Sequence, residues 1–229
     1  MSSKDGSAAR RAVLFDFDGT LADTAPDLGA AVNHLRHQQG LAPLSIDAVR
    51  PYASMGARGL LRVGFGLKPE DAAFPALREA FLDRYNDNLC VETRLFPEME
   101  ALLAQLKARR IAWGIVTNKA SRFTDRLVPL LVAEWGVEPG CVVCGDSTPH
   151  LKPHPAMLLL AAQQLKLPPA DCTYLGDDLR DIQAARAAGM RPVAVTWGYT
   201  SPDNGGPPSW NADLLVERPL DVIQHLESA

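Results

Sequence analysis

The chain has 229 residues, 47% hydrophobic and 22% charged, an ordinary globular composition that excludes a disordered protein. At about 150 residues per domain, this length gives one sizeable core with a smaller accessory piece. Acidic residues outnumber basic ones 27 to 23, a net charge of -4, so no basic excess exists to displace counterions from a nucleic acid. A small anionic ligand stays compatible if a local device offsets the overall charge.

Residues 1–11 hold Ser, Gly, Ala and charged types without an apolar run, and read as a frayed tail rather than a signal peptide. The longest apolar stretch, 156–162, is far too short to span a bilayer. Cys90, Cys141, Cys144 and Cys172 are too few and too scattered for a disulfide framework. Cys141 and Cys144 lie in a strand-like run and read as buried thiols, not half of a zinc site. The expectation is a cytoplasmic protein with neither nucleic acid nor membrane as partner.

Val13, Leu14 and Phe15 form a short apolar run ending in Asp16, the pattern of a buried parallel strand. From Asp27 to about Glu92 the periodicity is helical. Leu28, Ala31, Val32 and Leu35 make one stripe, ended by Gly40. Leu60, Leu61 and Val63 suggest a second helix, and Leu77, Ala80, Phe81 and Tyr85 a later one. From Pro97 onward helix and strand alternate. Helices are expected over 97–110, near 123–135, over 155–165 and over 182–188, the last closed by Gly189. Strands are expected over 111–116, at 142–143, over 173–175 and over 192–196. A Pro/Gly/Ser-rich loop at 201–209 precedes an edge strand at 214–216 and a last helix carrying Leu220, Ile223 and Leu226. The fold class is therefore α/β: a doubly wound parallel-sheet, Rossmann-like core with an all-helical insertion after the first strand.

In a parallel sheet the carboxyl ends of the strands converge on one edge, where ligands bind. Asp16 and Asp18 follow the first strand, Thr117 and Asn118 the second, and Gly145 and Asp146 the third, with Lys152 in the next loop. Gly176, Asp177 and Asp178 follow the fourth, and Asp181 lies on the next helix's first turn. Gly19 lets the backbone turn, so that Asp16 and Asp18 can face one cavity. Carboxylates brought together repel, shift their pKa values or recruit a cation. Hard oxygen ligands beside a phosphorylated substrate suit magnesium, with Lys152 and helix amino ends offsetting phosphate charge. Singly, Asp178 or Asp181 reads as a helix cap, Asp146 as a loop residue and Lys152 as a solvated lysine. Their arrangement at successive strand ends carries the functional reading.

Four motifs carry a resemblance. They are Asp16-Phe17-Asp18-Gly19-Thr20, Val116-Thr117-Asn118-Lys119, Lys152-Pro153-His154-Pro155 and Gly176-Asp177-Asp178-Leu179-Arg180-Asp181. In this order they resemble the haloacid dehalogenase-like hydrolase superfamily, and within it the phosphoglycolate phosphatase-like subgroup. The resemblance implies a catalytic core of 12–25 and 94–229 and a mobile helical cap of 26–93. It implies that Asp16 is the nucleophile, forming an aspartyl-phosphate, and that Asp18 is the acid and base. Thr117 would bind a phosphoryl oxygen, and Lys152 would hold nucleophile and phosphate. Mg2+ would be held by Asp16, the backbone carbonyl of Asp18 and Asp177, with Asp181 in support. The role of Asp178 stays open.

Asp18 favours phosphoryl chemistry over dehalogenation. A sugar-phosphate mutase shares the catalytic four, and a non-catalytic phospho-ligand-binding protein would be expected to have lost Asp16 or Asp18. The substrate expected is a small phosphorylated metabolite, 2-phosphoglycolate or N-acetylmuramic acid 6-phosphate. Trp197-Gly198-Tyr199 fits the former; Met55-Gly56-Ala57-Arg58 and Trp210-Asn211-Ala212-Asp213 fit the latter. Gly19, Asn118 and Arg58 are the candidate substrate contacts. Arg58 sits between Gly56 and Gly59, which let its loop approach the core; its other reading is a surface arginine flanking a helix. His34 and His37 share a helix face without a third ligand, and Trp113, Trp135 and Phe123 read as core packing. The chain is expected to be a monomer or a homodimer.

Overall fold

The computed structural model describes residues 11–132 and 138–227. Six strands form one wholly parallel sheet in the order β5-β4-β1-β6-β7-β8. They are β1 (Ala12–Phe15), β4 (Ala112–Val116), β5 (Cys141–Val143), β6 (Cys172–Gly176), β7 (Arg191–Val195) and β8 (Leu214–Val216). β1 lies between β4 and β6, with Phe15 beside Ile115 on one side and Leu175 on the other. The chain first builds outward from β1 through β4 to β5, then crosses back to β6. The strand order thus reverses at β1, the place where ligands bind in open α/β sheets.

Alternate side chains of each strand serve opposite faces. Val13, Phe15, Trp113, Ile115 and Leu175 pack with α5 (Met99–Ala108), α6 (Ser121–Val132) and α9 (Asp221–Glu227). Leu14, Val116, Val143 and Tyr174 pack with α7 (Ala156–Leu165) and α8 (Leu179–Ala188). Cys141, Cys144 and Cys172 are buried thiols, and all four cysteines are unbridged. Trp135 and the end of the helix expected near 123–135 lie outside the described residues, as does the expected tail through residue 10. Arg11 accepts a hydrogen bond from Ala112 N at its carbonyl, 3.1 Å, and so already joins the sheet.

Between β1 and α5 come α1 (Ala25–Gln38), α2 (Ile46–Val49), a 3-10 segment (Arg50–Met55), α3 (Gly56–Phe65) and α4 (Phe74–Asp87). α1 buries Leu28, Ala31, Val32 and Leu35 as the stripe predicts. In α4 the stripe is rotated from the expected one: Phe74, Phe81, Leu82 and Tyr85 are buried while Ala80 is exposed. Two short strands that periodicity could not reveal, β2 (Ala22–Asp23) and β3 (Arg94–Leu95), pair antiparallel where the chain leaves and re-enters the sheet layer.

Those two crossings are stitched by buried polar groups. The Asp27 carboxylate, in the first turn of α1, accepts from Glu92 N (2.8 Å), Thr93 N (3.0 Å) and Thr93 Oγ1 (2.7 Å). The Tyr199 hydroxyl accepts from Thr24 N (2.6 Å) and Ala25 N (2.9 Å) and donates to Asp23 Oδ1 (2.6 Å). Removing a buried charged acceptor strands several donors at once. Asp27→Ala should therefore lower unfolding free energy by about 3 kcal/mol in urea titration. A loss below about 1 kcal/mol would show that water replaces the carboxylate there.

Candidate functional site

Every strand end expected to carry chemistry opens on one cavity of about 750 Å³. Its floor comes from the sheet edge and its roof from the helical insertion, which contributes Ser54, Arg58, Phe81 and Tyr85. Asp16 follows β1 directly; its backbone N–H still bonds to Leu175 O, 2.9 Å, which fixes it on the sheet. The chain then doubles back tightly, Leu21 N and Ala22 N both returning to Phe17 O. In consequence Asp16 and Asp18 both line the cavity. Gly19 permits that turn at φ +86°, and a Cβ there would lie 2.1 Å from Asp177 Oδ2. Gly19 does not line the cavity; its place is beneath Asp177.

Lys152 is the central cation. Its Nζ stands 2.9 Å from Asp16 Oδ1, 2.7 Å from Asp181 Oδ1 and 2.7 Å from the Tyr174 hydroxyl, with its side chain only 2% exposed. Burial opposes the charge, but Asp16 and Asp181 outweigh it and hold the ammonium above its ordinary value. Asn118 makes a reciprocal pair with the Lys152 backbone, Oδ1 accepting from its N (2.9 Å) and Nδ2 donating to its carbonyl (3.2 Å). Asn118 thus fixes the lysine loop to the end of β4, besides lining the cavity. Thr117 is buried at the same end and its hydroxyl accepts from Lys119 N, 3.2 Å.

Asp16, Asp177 and Asp181 are all buried and offer oxygens within 4.8 Å of one another. Such a group suits a divalent cation, since hard carboxylate oxygens are its natural ligands. Burial, with Asp16 and Asp181 beside it, pushes the Asp177 carboxyl well above the usual range. Burial likewise raises Asp181 to about 7, although Lys152 pulls the other way. Asp177 accepts from Thr20 Oγ1 (3.0 Å), Tyr199 N (2.8 Å) and Ser54 Oγ (2.9 Å). Asp178 turns away from this cluster: it caps α8 and pairs with Arg180 at 2.7 Å. Asp146 caps α6 through Ser121, 2.7 Å from its hydroxyl.

The Asp18 carboxylate faces a second cation. Lys119 Nζ lies 2.9 Å from its Oδ1, and Thr24 Oγ1 donates to the same oxygen at 2.5 Å. Burial works against the Lys119 charge, but Asp18 overcomes it and holds the ammonium above its ordinary value. Arg58 lines the cavity from the insertion with an exposed side chain. His154 stays outside, its ring tilted against that of His150 at 4.3 Å.

Sequence reasoning missed Ser54, Lys119, Tyr85 and Tyr174. Lys119 was visible as the last residue of its motif, and Tyr85 as part of an apolar stripe. Neither pattern says which neighbour the side chain meets. Phe123, read as core, also lines the cavity.

Because the folded state binds protons at Asp177 and Asp181 that the unfolded chain releases near pH 4, stability should fall as pH rises from about 4 to about 7. Thermal unfolding in a chelator reads this slope, and a divalent cation should restore stability most at its upper end. A stability that rises through that window without metal would contradict the shifts.

Comparison with known proteins agrees with this geometry. The family model of the haloacid dehalogenase-like hydrolases matches residues 13–195. The N-acetylmuramic acid 6-phosphate phosphatase of Pseudomonas putida is 40% identical over 220 residues, covering 96% of this chain and 97% of that one. The phosphoglycolate phosphatase of Xanthomonas campestris pv. campestris is 44% identical over 209 residues, covering 91% and 93%. The crystal structure of a predicted phosphoglycolate phosphatase from Haemophilus somnus superposes with a TM-score of 0.78 at 26% identity, covering 96% of this chain and 99% of that one. With its sheet order, its strand-end carboxylates and these likenesses, the chain belongs to the haloacid dehalogenase-like hydrolases.

Proposed function

We propose that this chain is a magnesium-dependent phosphatase that hydrolyses a small phosphomonoester through an aspartyl-phosphate on Asp16, most like the phosphoglycolate phosphatases. The observation that carries this reading is the pairing of two carboxylates on one short loop with two different lysines. Asp16 meets Lys152 inside an acidic cluster, and Asp18 meets Lys119 across the cavity.

Asp16 would attack phosphorus, forming an Asp16–phosphorus bond as the ester P–O bond breaks, while Asp18 donates a proton to the departing oxygen. Asp18 would then take a proton from the water that attacks the aspartyl-phosphate, which returns Asp16 and releases phosphate. Thr117 would hydrogen-bond a phosphoryl oxygen, and Lys152 would offset charge on nucleophile and phosphate. Asp16, Asp177 and the Asp18 carbonyl would hold Mg2+, with Asp181 behind them. The bound ion supplies charge neutralisation for the phosphoryl oxygens. Residues 26–93 would act as the cap that encloses substrate and excludes water. Arg58, on that cap, would meet an anionic part of the substrate.

A second substrate reading has its own support. A cavity of about 750 Å³ falls in the range that encloses ligands far larger than a two-carbon ester. N-acetylmuramic acid 6-phosphate, the compound named for the Pseudomonas putida relative, is of that larger size. Among the described residues no helix is long and apolar enough to cross a membrane. The four unbridged cysteines are in keeping with a reducing, cytoplasmic setting.

Phosphate release from 2-phosphoglycolate and N-acetylmuramic acid 6-phosphate, with Mg2+ and with chelator, tests the activity and ranks the substrates. Asp16→Asn should lower turnover by at least about a thousandfold while leaving the urea midpoint near that of the parent. Substantial residual turnover would remove Asp16 from the nucleophile role. Isomerisation of a sugar phosphate without phosphate release would instead favour a mutase.

A further inference from the structure

Among the described residues, three buried side-chain polar atoms lack a hydrogen-bond partner: Tyr85 Oη, Glu98 Oε2 and Trp113 Nε1. Of these residues only Tyr85 lines the cavity. A buried phenol ordinarily finds a partner, because leaving its hydroxyl unmatched forfeits the bond it had in water. Packing does not leave Tyr85 free to seek one. Its ring stacks on Phe81 at 6.4 Å and tilts against Phe123 at 5.3 Å, and the residue is only 1% exposed.

The Lys119 ammonium lies 4.6 Å from the centre of the same ring. It is close enough to act on the phenol, but an ammonium can only donate, so the phenol's own proton is left without an acceptor. Burial pushes the Tyr85 phenol up to about 12, so that at neutral pH it keeps its proton and can donate. Lys119 meanwhile grips both oxygens of Asp18, at 2.9 and 3.3 Å. A phenol whose proton lacks an acceptor therefore stands on the insertion beside the cation that orients Asp18 on the core.

Resting on the phosphatase reading above, we propose that Tyr85 and Lys119 form a leaving-group subsite. The Tyr85 hydroxyl donates to an oxygen on the alcohol portion of the substrate. Lys119 is a positioning residue that holds Asp18 where the ester oxygen departs. The substrate class is then a phosphomonoester whose alcohol carries an accepting oxygen close to the ester bond. The neighbouring ammonium favours an anionic oxygen, a carboxylate, over a neutral one. Alkyl phosphates without such an oxygen leave the phenol unmatched and are selected against.

The test compares the parent, Tyr85→Phe and Lys119→Met on 2-phosphoglycolate, N-acetylmuramic acid 6-phosphate, ethyl phosphate and p-nitrophenyl phosphate. Tyr85→Phe keeps the ring and removes only the hydroxyl. It should lower the kcat/KM ratio of the better oxygen-bearing ester over ethyl phosphate by at least about tenfold. Lys119→Met should lower kcat/KM on that ester by about a hundredfold, but on p-nitrophenyl phosphate by less than tenfold, since that leaving group departs without a proton and kcat/KM does not register the later water attack. Equal losses on every ester, or an unchanged ratio in Tyr85→Phe, would overturn the subsite. Should Lys119→Met fail to fold, the Tyr85→Phe ratio decides alone. If the parent cleaves none of the four esters with Mg2+, the phosphatase reading itself fails; turnover with unmoved ratios sinks only the subsite.

Discussion

The buried ammonium of Lys152 is the interaction on which the rest of the site depends. Three carboxylates, Asp16, Asp177 and Asp181, share the switch point of the sheet with little water to screen them. Ions so placed lose hydration that only close opposite charge and well-made hydrogen bonds can replace. Lys152 supplies one positive charge at hydrogen-bond distance from two of the three. Its loop is carried there from beyond β5 and pinned to β4 by Asn118, so the charge arrives with a fixed geometry. Three acids against one cation still leave an excess of negative charge when all are ionised. Burial, with that excess added to it, drives Asp177 and Asp181 upward, and the excess makes the cluster a ready host for a doubly charged ion.

The helical insertion meets this charge cluster through polar contacts. Ser54 donates to Asp177 Oδ2 and stands 3.3 Å from the Asp18 carbonyl, and Arg180 returns the contact by donating to the Ser54 carbonyl at 2.9 Å. At the other end of the insertion Asp27 and Tyr199 tie the chain crossings with buried, multiply satisfied bonds. The two sets differ in kind. The crossings are closed by fully buried bonds beside the β2–β3 pair, whereas the contacts at the cavity are made by partly buried groups. Asp177 and the Asp18 carbonyl, the groups proposed to hold the metal, are thus among those that hold the roof to the floor.

What the sequence makes legible follows from periodicity and from strand ends. β1, β4 and β6 are apolar runs closed by Asp16, Thr117 and Asp177, so both the sheet and the convergence of those residues could be read in advance. β2 and β3 are two residues each, too short for any period to register. The α4 stripe was read a little out of phase because Leu77 and Ala80 are apolar enough to pass for core, while what packs there is decided by α1 and by the ring of Phe123. Tyr174 and Ser54, and the contacts of Tyr199, were illegible for another reason. Each matters through one polar atom whose partner lies on a distant element, and nothing local marks that pairing.

In the proposed mechanism the two carboxylates of the first loop divide the chemical labour. Asp16 and Asp18 are the same residue type, two positions apart, and both reach the same cavity. Asp16 is held by its own loop, with Phe17 N donating to Oδ1 at 2.7 Å, and by a lysine that is itself buried among acids. Its oxygens are fixed and kept near the proposed phosphate position. Asp18 is half-buried and rests on Thr24 and Lys119, partners outside the acidic cluster. In those roles a nucleophile profits from a fixed position, and an acid that later serves as base profits from a partner outside the acidic cluster that holds its carboxylate in place. The net charge of -4 gives no hint of this division. It arises because each aspartate is paired with a different lysine, one delivered by the loop after β5 and the other by the end of β4.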